Sequence, residues 1–187
     1  MPRAAALSSL LARYTPADAL ERAHLDAMRA LVAAPDPFAR DHWEPGHFTA
    51  SAFVLSPEGD DILLIFHEKF RRWLQPGGHC EPEDRDIVAS ALREVAEETG
   101  LAGVSVVGDG LFDVDVHDIP PRKGDPFHRH FDCRVLLRAH DRAFLAATDA
   151  LAAQWVPLDK VGAIETDESV MRAVRKIQAA SASRVSD

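Results

Sequence analysis

The chain has 187 residues, 47% of them hydrophobic, which is enough to bury one sizeable core and short for two independent domains. Its formal charge of −9 argues against a nucleic-acid surface, because holding a phosphate backbone takes many lysines and arginines at once, so any phosphate compound bound here needs help from cations. No apolar run approaches the roughly 20 residues that span a bilayer, Met1-Pro2-Arg3-Ala4 leads into helical sequence rather than a signal peptide, and Cys80 and Cys133 are too few for a disulfide scaffold, so a cytoplasmic, soluble protein with no membrane partner is expected.

Residues 1–46 read as a helical N-terminal extension. Thr15-Pro16-Ala17-Asp18 offers an N-cap threonine followed by a proline at the first helical position, and Leu20, Met28, Leu31 and Val32 supply an apolar stripe. Pro35 and Pro37 predict an end near Ala34.

From His47 the pattern changes to short apolar runs. Phe48 to Leu55 and Ile62 to Phe66, joined by Ser56-Pro57-Glu58-Gly59-Asp60, predict a β-hairpin. Trp73-Leu74-Gln75 then enters a sharp loop at Pro76-Gly77-Gly78. Residues 86–99 carry Val88, Ala91, Leu92 and Val95 at helical spacing, with Gly100 as terminator. Further strands are predicted at Val104 to Val107, Leu111 to His117, His130 to Leu137 and Gln154 to Pro157, and a last helix near Glu168 to Ala180. The proline-rich stretch Ile119 to Phe127 reads as an exposed loop, and residues 181–187 as a flexible tail. This order of elements suggests an α/β sandwich over residues 47–180.

The chemistry concentrates in Arg93-Glu94-Val95-Ala96-Glu97-Glu98-Thr99-Gly100-Leu101. Three carboxylates near a helix C-terminus oppose the helix dipole and repel one another at i,i+4, by a few tenths of a kcal/mol per pair. Glu94 and Glu98 lie one turn apart with Glu97 beside them, so the three can converge on a hard cation. Magnesium suits such a set, since it takes oxygen ligands and completes its shell with water and substrate phosphate. An ordinary solvated acidic helix end is the competing reading.

Gly78 to Leu101 resembles the Nudix box, which runs glycine, five residues, glutamate, seven residues, then Arg-Glu-aliphatic-x-Glu-Glu-x-Gly-aliphatic. The second half matches throughout. The first departs twice: Asp84 stands in place of glutamate, and eight residues rather than seven separate it from Arg93. An insertion inside the helix would turn everything beyond it by about 100°, whereas one before Asp86 leaves the glutamates in register. The resemblance implies a Nudix-type α/β/α sandwich with a mixed sheet. It further implies Glu94 and Glu98 as metal ligands, Glu97 as ligand or base, and Arg93 orienting a glutamate.

The function this implies is metal-dependent hydrolysis of a diphosphate linkage in a nucleoside diphosphate joined to another moiety, with Mg2+ or Mn2+ as cofactor and a small-molecule substrate. Gly78, Lys69, Arg72, His79 and His130 are candidate substrate-binding residues, with Arg71, Arg122 and Lys123 as further surface cations. His79, Cys80, His128, His130 and Cys133 form a second polar set, and the alternation His128-x-His130-x-Asp132 places three polar side chains on one strand face. Zinc ligation through imidazole and thiolate and an ordinary solvated face are both open for it. Trp43, Trp73 and Trp155 read as core before they read as ring-stacking residues. Two other functions stay open: a prenyl-diphosphate isomerase, for which Cys80 is the candidate cysteine, and a nucleotide-sensing module without turnover. A homodimer is compatible with the extension.

Overall fold

The computed structural model describes residues 2–68, 70–101, 103–122, 124–143 and 152–185. Two helices open the chain, α1 (Arg3–Arg13) and α2 (Ala19–Leu31). Asp18, not Thr15, caps α2: Asp18 has extended backbone angles and its carboxylate accepts from the Glu21 amide at 2.8 Å, which leaves Pro16 outside the helix. The stripe is half as expected, with Met28 and Leu31 buried and Leu20 and Val32 not on the buried face. Leu20 is 56% exposed and Val32 is the C-cap residue, while Glu21, Leu25, Met28 and Leu31 form the buried face. Glu21 tolerates burial because its carboxylate accepts from the Tyr14 hydroxyl and the Ala17 amide.

The strands are β1 (Gly46–Leu55), β2 (Asp61–His67), β3 (Arg72–Leu74), β4 (Gly77–His79), β5 (Val104–Val106), β6 (Asp113–Ile119), β7 (His128–Ala139) and β8 (Ala153–Pro157). They make a mixed sheet with flanking helices, in the order β3-β2-β1-β7-β5, with β4 on β1, β6 on β7 and β8 on β2. The predicted hairpin is present, pairing Val54 with Leu63. Where the sequence suggested only a sharp loop, Trp73 and Leu74 lie in β3 and Gly77 to His79 form β4. The box helix is α3 (Ile87–Thr99) and the last helix α4 (Glu168–Val185), which runs past the expected end at Ala180. Among the described residues no helix is long and apolar enough to cross a membrane.

The fold divides into two compact units. The first comprises Met1–Ala52, Gly77–Glu94 and Val106–Leu136; the second comprises Phe53–Pro76, Val95–Ser105 and Leu137–Asp187. In the first, Leu7, Leu11, Leu25, Met28, Phe48 and Phe131 are almost fully buried, and α2 packs on β6. In the second, Ile62, Leu63, Leu64, Val170 and Val174 are its core. Each such side chain contributes about 1.5–3 kcal/mol of hydrophobic stabilisation.

Candidate active site

The box begins in a turn and ends in a helix. Asp86 starts α3 by accepting from the Ala89 amide at 2.8 Å, and Ile87, Ala91 and Val95 bury one face, with Val88 and Leu92 half-buried beside them. The extra residue of the box therefore falls in the turn before the helix and leaves the spacing of Glu94, Glu97 and Glu98 unaltered. Glu94 is half-buried, Glu97 exposed and Glu98 half-buried, at i, i+3 and i+4 of one helix.

Arg93 ties the turn to the helix. Its Nε and Nη2 donate to the two oxygens of Asp84 at 3.1 and 3.0 Å, Nη1 donates to Glu94 Oε1 at 2.9 Å, and Nη2 also donates to the His79 carbonyl at 2.8 Å. Hydrogen bonding to Asp84, against the opposing effect of burial, raises the arginine further above its ordinary value. Burial acts to raise the Asp84 carboxyl, but the Arg93 fork, the Glu81 amide and Ser90 outweigh it and hold that group below the ordinary carboxylate value. Asp84 thus fills the role of arginine partner although it is shorter than glutamate.

Gly78 fixes the space around Glu94. A Cβ at that position would lie 2.7 Å from Glu94 Oε1 and 2.9 Å from Oε2. Only a residue without a side chain leaves the carboxylate where it is.

Beside the box, strand register gathers a polar sheet face. His47, Thr49 and Ser51 alternate on β1, His128, His130, Asp132 and Arg134 on β7, and Asp113, Asp115 and His117 on β6, where Asp115 pairs with Asp132 and His117 with His130. His79 on β4 sits opposite Thr49. Asp132 accepts from Thr49 Oγ1 at 3.1 Å, Ser51 Oγ at 2.7 Å and Arg134 Nε at 2.8 Å, and Arg134 also reaches Asp113 and Asp115 at 3.3 and 3.2 Å. This hydrogen-bonded network satisfies buried charge and anchors the strand that carries His130.

The histidines meet above it. Ring centroids lie 5.1 Å apart for His47 and His79, 4.9 Å for His47 and His130, and 5.2 Å for His79 and His130. Gly46 permits the approach of β1, since a Cβ there would fall 1.9 Å from the Arg129 carbonyl oxygen. His128 packs against His47 and Trp43 and makes a 2.9 Å hydrogen bond to the Pro126 carbonyl. Burial is the main cause that lowers His47 and His79 to about 4 and His130 to about 2; crowding by neighbouring histidines, and by Arg40 for His47 and His79, adds to it. The rings are therefore neutral imidazoles at pH 7.

The sequence anticipated His79 and His130 and missed His47, whose alternation with Thr49 and Ser51 was the available signal. It also grouped Cys80 and Cys133 with them. Both thiols are buried and outside the histidine cluster, and burial pushes Cys80 up to about 11 and Cys133 well above its ordinary value. Neither is poised as a thiolate. Arg72 is on β3, in the second unit, while Lys69 and Lys123 lie outside the described residues. Arg122 joins Asp125 in an isolated bridge, as befits the expected loop. Trp73 packs edge-on against Phe66, and Trp155 donates from its indole to the Arg142 carbonyl at 3.0 Å. A cavity of about 610 Å³ opens beside His79 and Cys80, lined also by Arg3, Phe38 and Arg40 of the N-terminal extension.

The family model of the NUDIX domain matches residues 45–176. The chain belongs to the Nudix family. Human diphosphoinositol polyphosphate phosphohydrolase 3-alpha is 32% identical over 93 residues, 48% of this chain and 51% of its own. Human mitochondrial coenzyme A diphosphatase is 63% identical over a shorter stretch of 27 residues, 14% of this chain and 11% of its own. The chain spans about half the length, or less, of the curated relatives it matches. Among solved structures, a Caenorhabditis elegans Ap4A hydrolase complex superposes with a TM-score of 0.55 at 19% identity, covering 73% of this chain and 98% of that one. A MutT protein from Methanosarcina mazei gives 0.56 at 16% identity, with coverages of 73% and 96%. At these identities the likeness to solved Nudix structures is one of fold.

Proposed function

We propose that the chain is a metal-dependent diphosphatase that cuts the diphosphate linkage of a nucleoside diphosphate joined to another moiety. The observation that carries this reading is the Arg93 fork, which spans Asp84 and Glu94 and holds one carboxylate of the helical triplet Glu94, Glu97, Glu98 in a fixed position beside Gly78. Curated relatives named as a phosphohydrolase and a diphosphatase support the reaction class.

The donor set fits Mg2+ or Mn2+. Carboxylate oxygens suit hard cations, and three on one helix are too few to encage one, which leaves positions for water and phosphate. When bound, the ion neutralises the diphosphate and lowers the pKa of an attacking water. Glu94 and Glu98 are assigned to holding it and Glu97 to accepting the water's proton, a role open to an exposed carboxylate on the same helix. Arg93 orients Glu94 without itself meeting the substrate. Gly78, Lys69, Arg72, His79 and His130 are assigned to substrate binding. Residues 1–46 are assigned to an appendage that shapes the cavity beside His79, and residues 47–180 to the hydrolase proper, whose last helix continues through the expected tail as far as Val185. The protein is placed in the cytoplasm, acts on small molecules rather than nucleic-acid polymers, and is compatible with a homodimer.

Cys80 gives the isomerase alternative no support, since a buried thiol near 11 is ill suited to proton transfer at neutral pH. Product release from nucleotide sugars, dinucleoside polyphosphates, nucleoside triphosphates and prenyl diphosphates, with and without Mg2+ or Mn2+, tests the proposal. Metal-dependent cleavage of a nucleoside diphosphate derivative is expected. Tight binding without turnover across the panel, or isomerised prenyl product, would overturn it.

A further inference from the structure

We propose that His47, His79 and His130 form a second metal site, distinct from the glutamates of the box, that takes a zinc-class divalent ion. The three residues come from β1, β4 and β7, all within the first unit, and each offers a ring nitrogen, these nitrogens lying within 4.8 Å of one another. A tetrahedral ion with Zn–N bonds of about 2.0–2.1 Å needs nitrogens roughly 3.4 Å apart, so modest side-chain rotation closes the site. Anchored strands bring the rings this close, so the convergence does not depend on mobile loops.

The second observation is an unmet bonding need. Among the described residues, His47 Nε2 and His130 Nε2 are buried and find no hydrogen-bond partner. His47 is fully buried, and its other nitrogen, Nδ1, is 3.4 Å from the His42 carbonyl oxygen. That carbonyl can only accept, so it selects the Nδ1–H tautomer and leaves a lone pair on Nε2 that no described residue donates to. Backbone-fixed tautomers of this kind orient metal-binding imidazoles. A buried polar atom without a partner is costly, and an ion drawn into the triangle satisfies both nitrogens together.

The donor chemistry selects the ion. Neutral imidazole nitrogens favour zinc and its first-row neighbours, whereas magnesium and calcium take oxygen. Cys80 and Cys133 take no part, and His128, whose Nδ1 meets the Pro126 carbonyl, packs against the cluster without joining it. Three protein ligands leave a fourth position open to water or an anion. His79 directly follows Gly78, and its carbonyl accepts from Arg93, so the box and the histidine site share one stretch of backbone. Only a role for the open position in holding substrate phosphate rests on the hydrolase reading; the metal site does not.

The full-length chain, stripped with chelator and titrated with zinc in excess magnesium, tests this apart from turnover. A single zinc ion per chain is expected for the wild type and equally for the double variant Glu94→Gln/Glu98→Gln. In His47→Ala/His130→Ala, affinity should fall by about a hundredfold or more, beyond what loss of an outer-shell partner costs. Cobalt in place of zinc should give ligand-field bands without a thiolate charge-transfer band. Should the double histidine variant misfold, His79→Gln, at the end of a three-residue strand, reports the same loss. Absence of zinc uptake by the wild type, undiminished uptake in both histidine variants, or a thiolate band would overturn the assignment, whether or not the chain hydrolyses diphosphates.

Discussion

Arg93 grips both oxygens of Asp84, at 3.1 and 3.0 Å, with the same guanidinium that donates to Glu94 at 2.9 Å. A turn residue thereby sets the position of a helical carboxylate. Asp84→Asn keeps the size but weakens a charge-assisted fork, a kind of bond worth about 1.5–3 kcal/mol. The expected result is a fall in kcat/KM of roughly tenfold or more, with a smaller loss of stability, measured by steady-state kinetics beside urea unfolding. Unchanged kinetics would show that Glu94 is held by other contacts.

Two adjacent glycines should respond differently to one methyl group. At Gly77 a Cβ would fall 2.2 Å from Ser51 Cβ and 2.6 Å from Ser51 Cα, against the backbone of the paired strand, so Gly77→Ala should destabilise the fold by about 1–3 kcal/mol. At Gly78 the three atoms nearest such a Cβ all belong to the end of the Glu94 side chain. Gly78→Ala should unfold at nearly the wild-type denaturant midpoint yet require more Mg2+ or Mn2+ for half-maximal turnover. Equal effects of both changes on stability would contradict this.

The metal-free chain should lose stability in mild acid. His47 and His79 titrate near 4 in the fold against an ordinary value of 6.5, because burial disfavours the charged ring. Between those values the unfolded chain binds more protons than the folded one, so stability is complete above about pH 6.5 and declines as pH falls toward about 4. Urea midpoints across that window should slope downward with falling pH, and less steeply for His47→Gln. A flat profile would contradict the burial of neutral rings.

Cys80 and Cys133 should resist alkylation in the folded chain. Both are buried, and burial holds Cys80 near 11, so little thiolate exists at neutral pH. Mass spectrometry after iodoacetamide should find them modified only once denaturant is added.

The helical half of the candidate site was legible in the sequence as a spacing on one helix, because that geometry is local. Glu94, Glu97 and Glu98 sit on one helix, and three- and four-residue spacing alone places them within about one turn of each other. The role of Asp84 was harder to read, since the extra residue between it and Arg93 could be placed in the turn only once Asp86 was seen to cap α3. The histidine triangle depends on the register of three strands distant in sequence, so His79 and His130 drew notice as polar residues while His47 looked like the start of a strand. Thr15 misled as a cap because Asp18, three residues on, competes for the same helix start and wins through its carboxylate. Leu20 misled because α2 turns Glu21 inward instead, where Tyr14 and Ala17 satisfy it.

The most direct test of the central claim is cleavage of a nucleoside diphosphate derivative in Mg2+ or Mn2+, followed by phosphorus NMR, for the wild type beside Glu98→Gln. A neutral amide binds a hard cation poorly, so the wild type should release phosphorylated products only with metal present, and the variant should lose nearly all turnover while keeping its fold. Full, equally metal-dependent activity in Glu98→Gln would contradict the assignment of the box carboxylates.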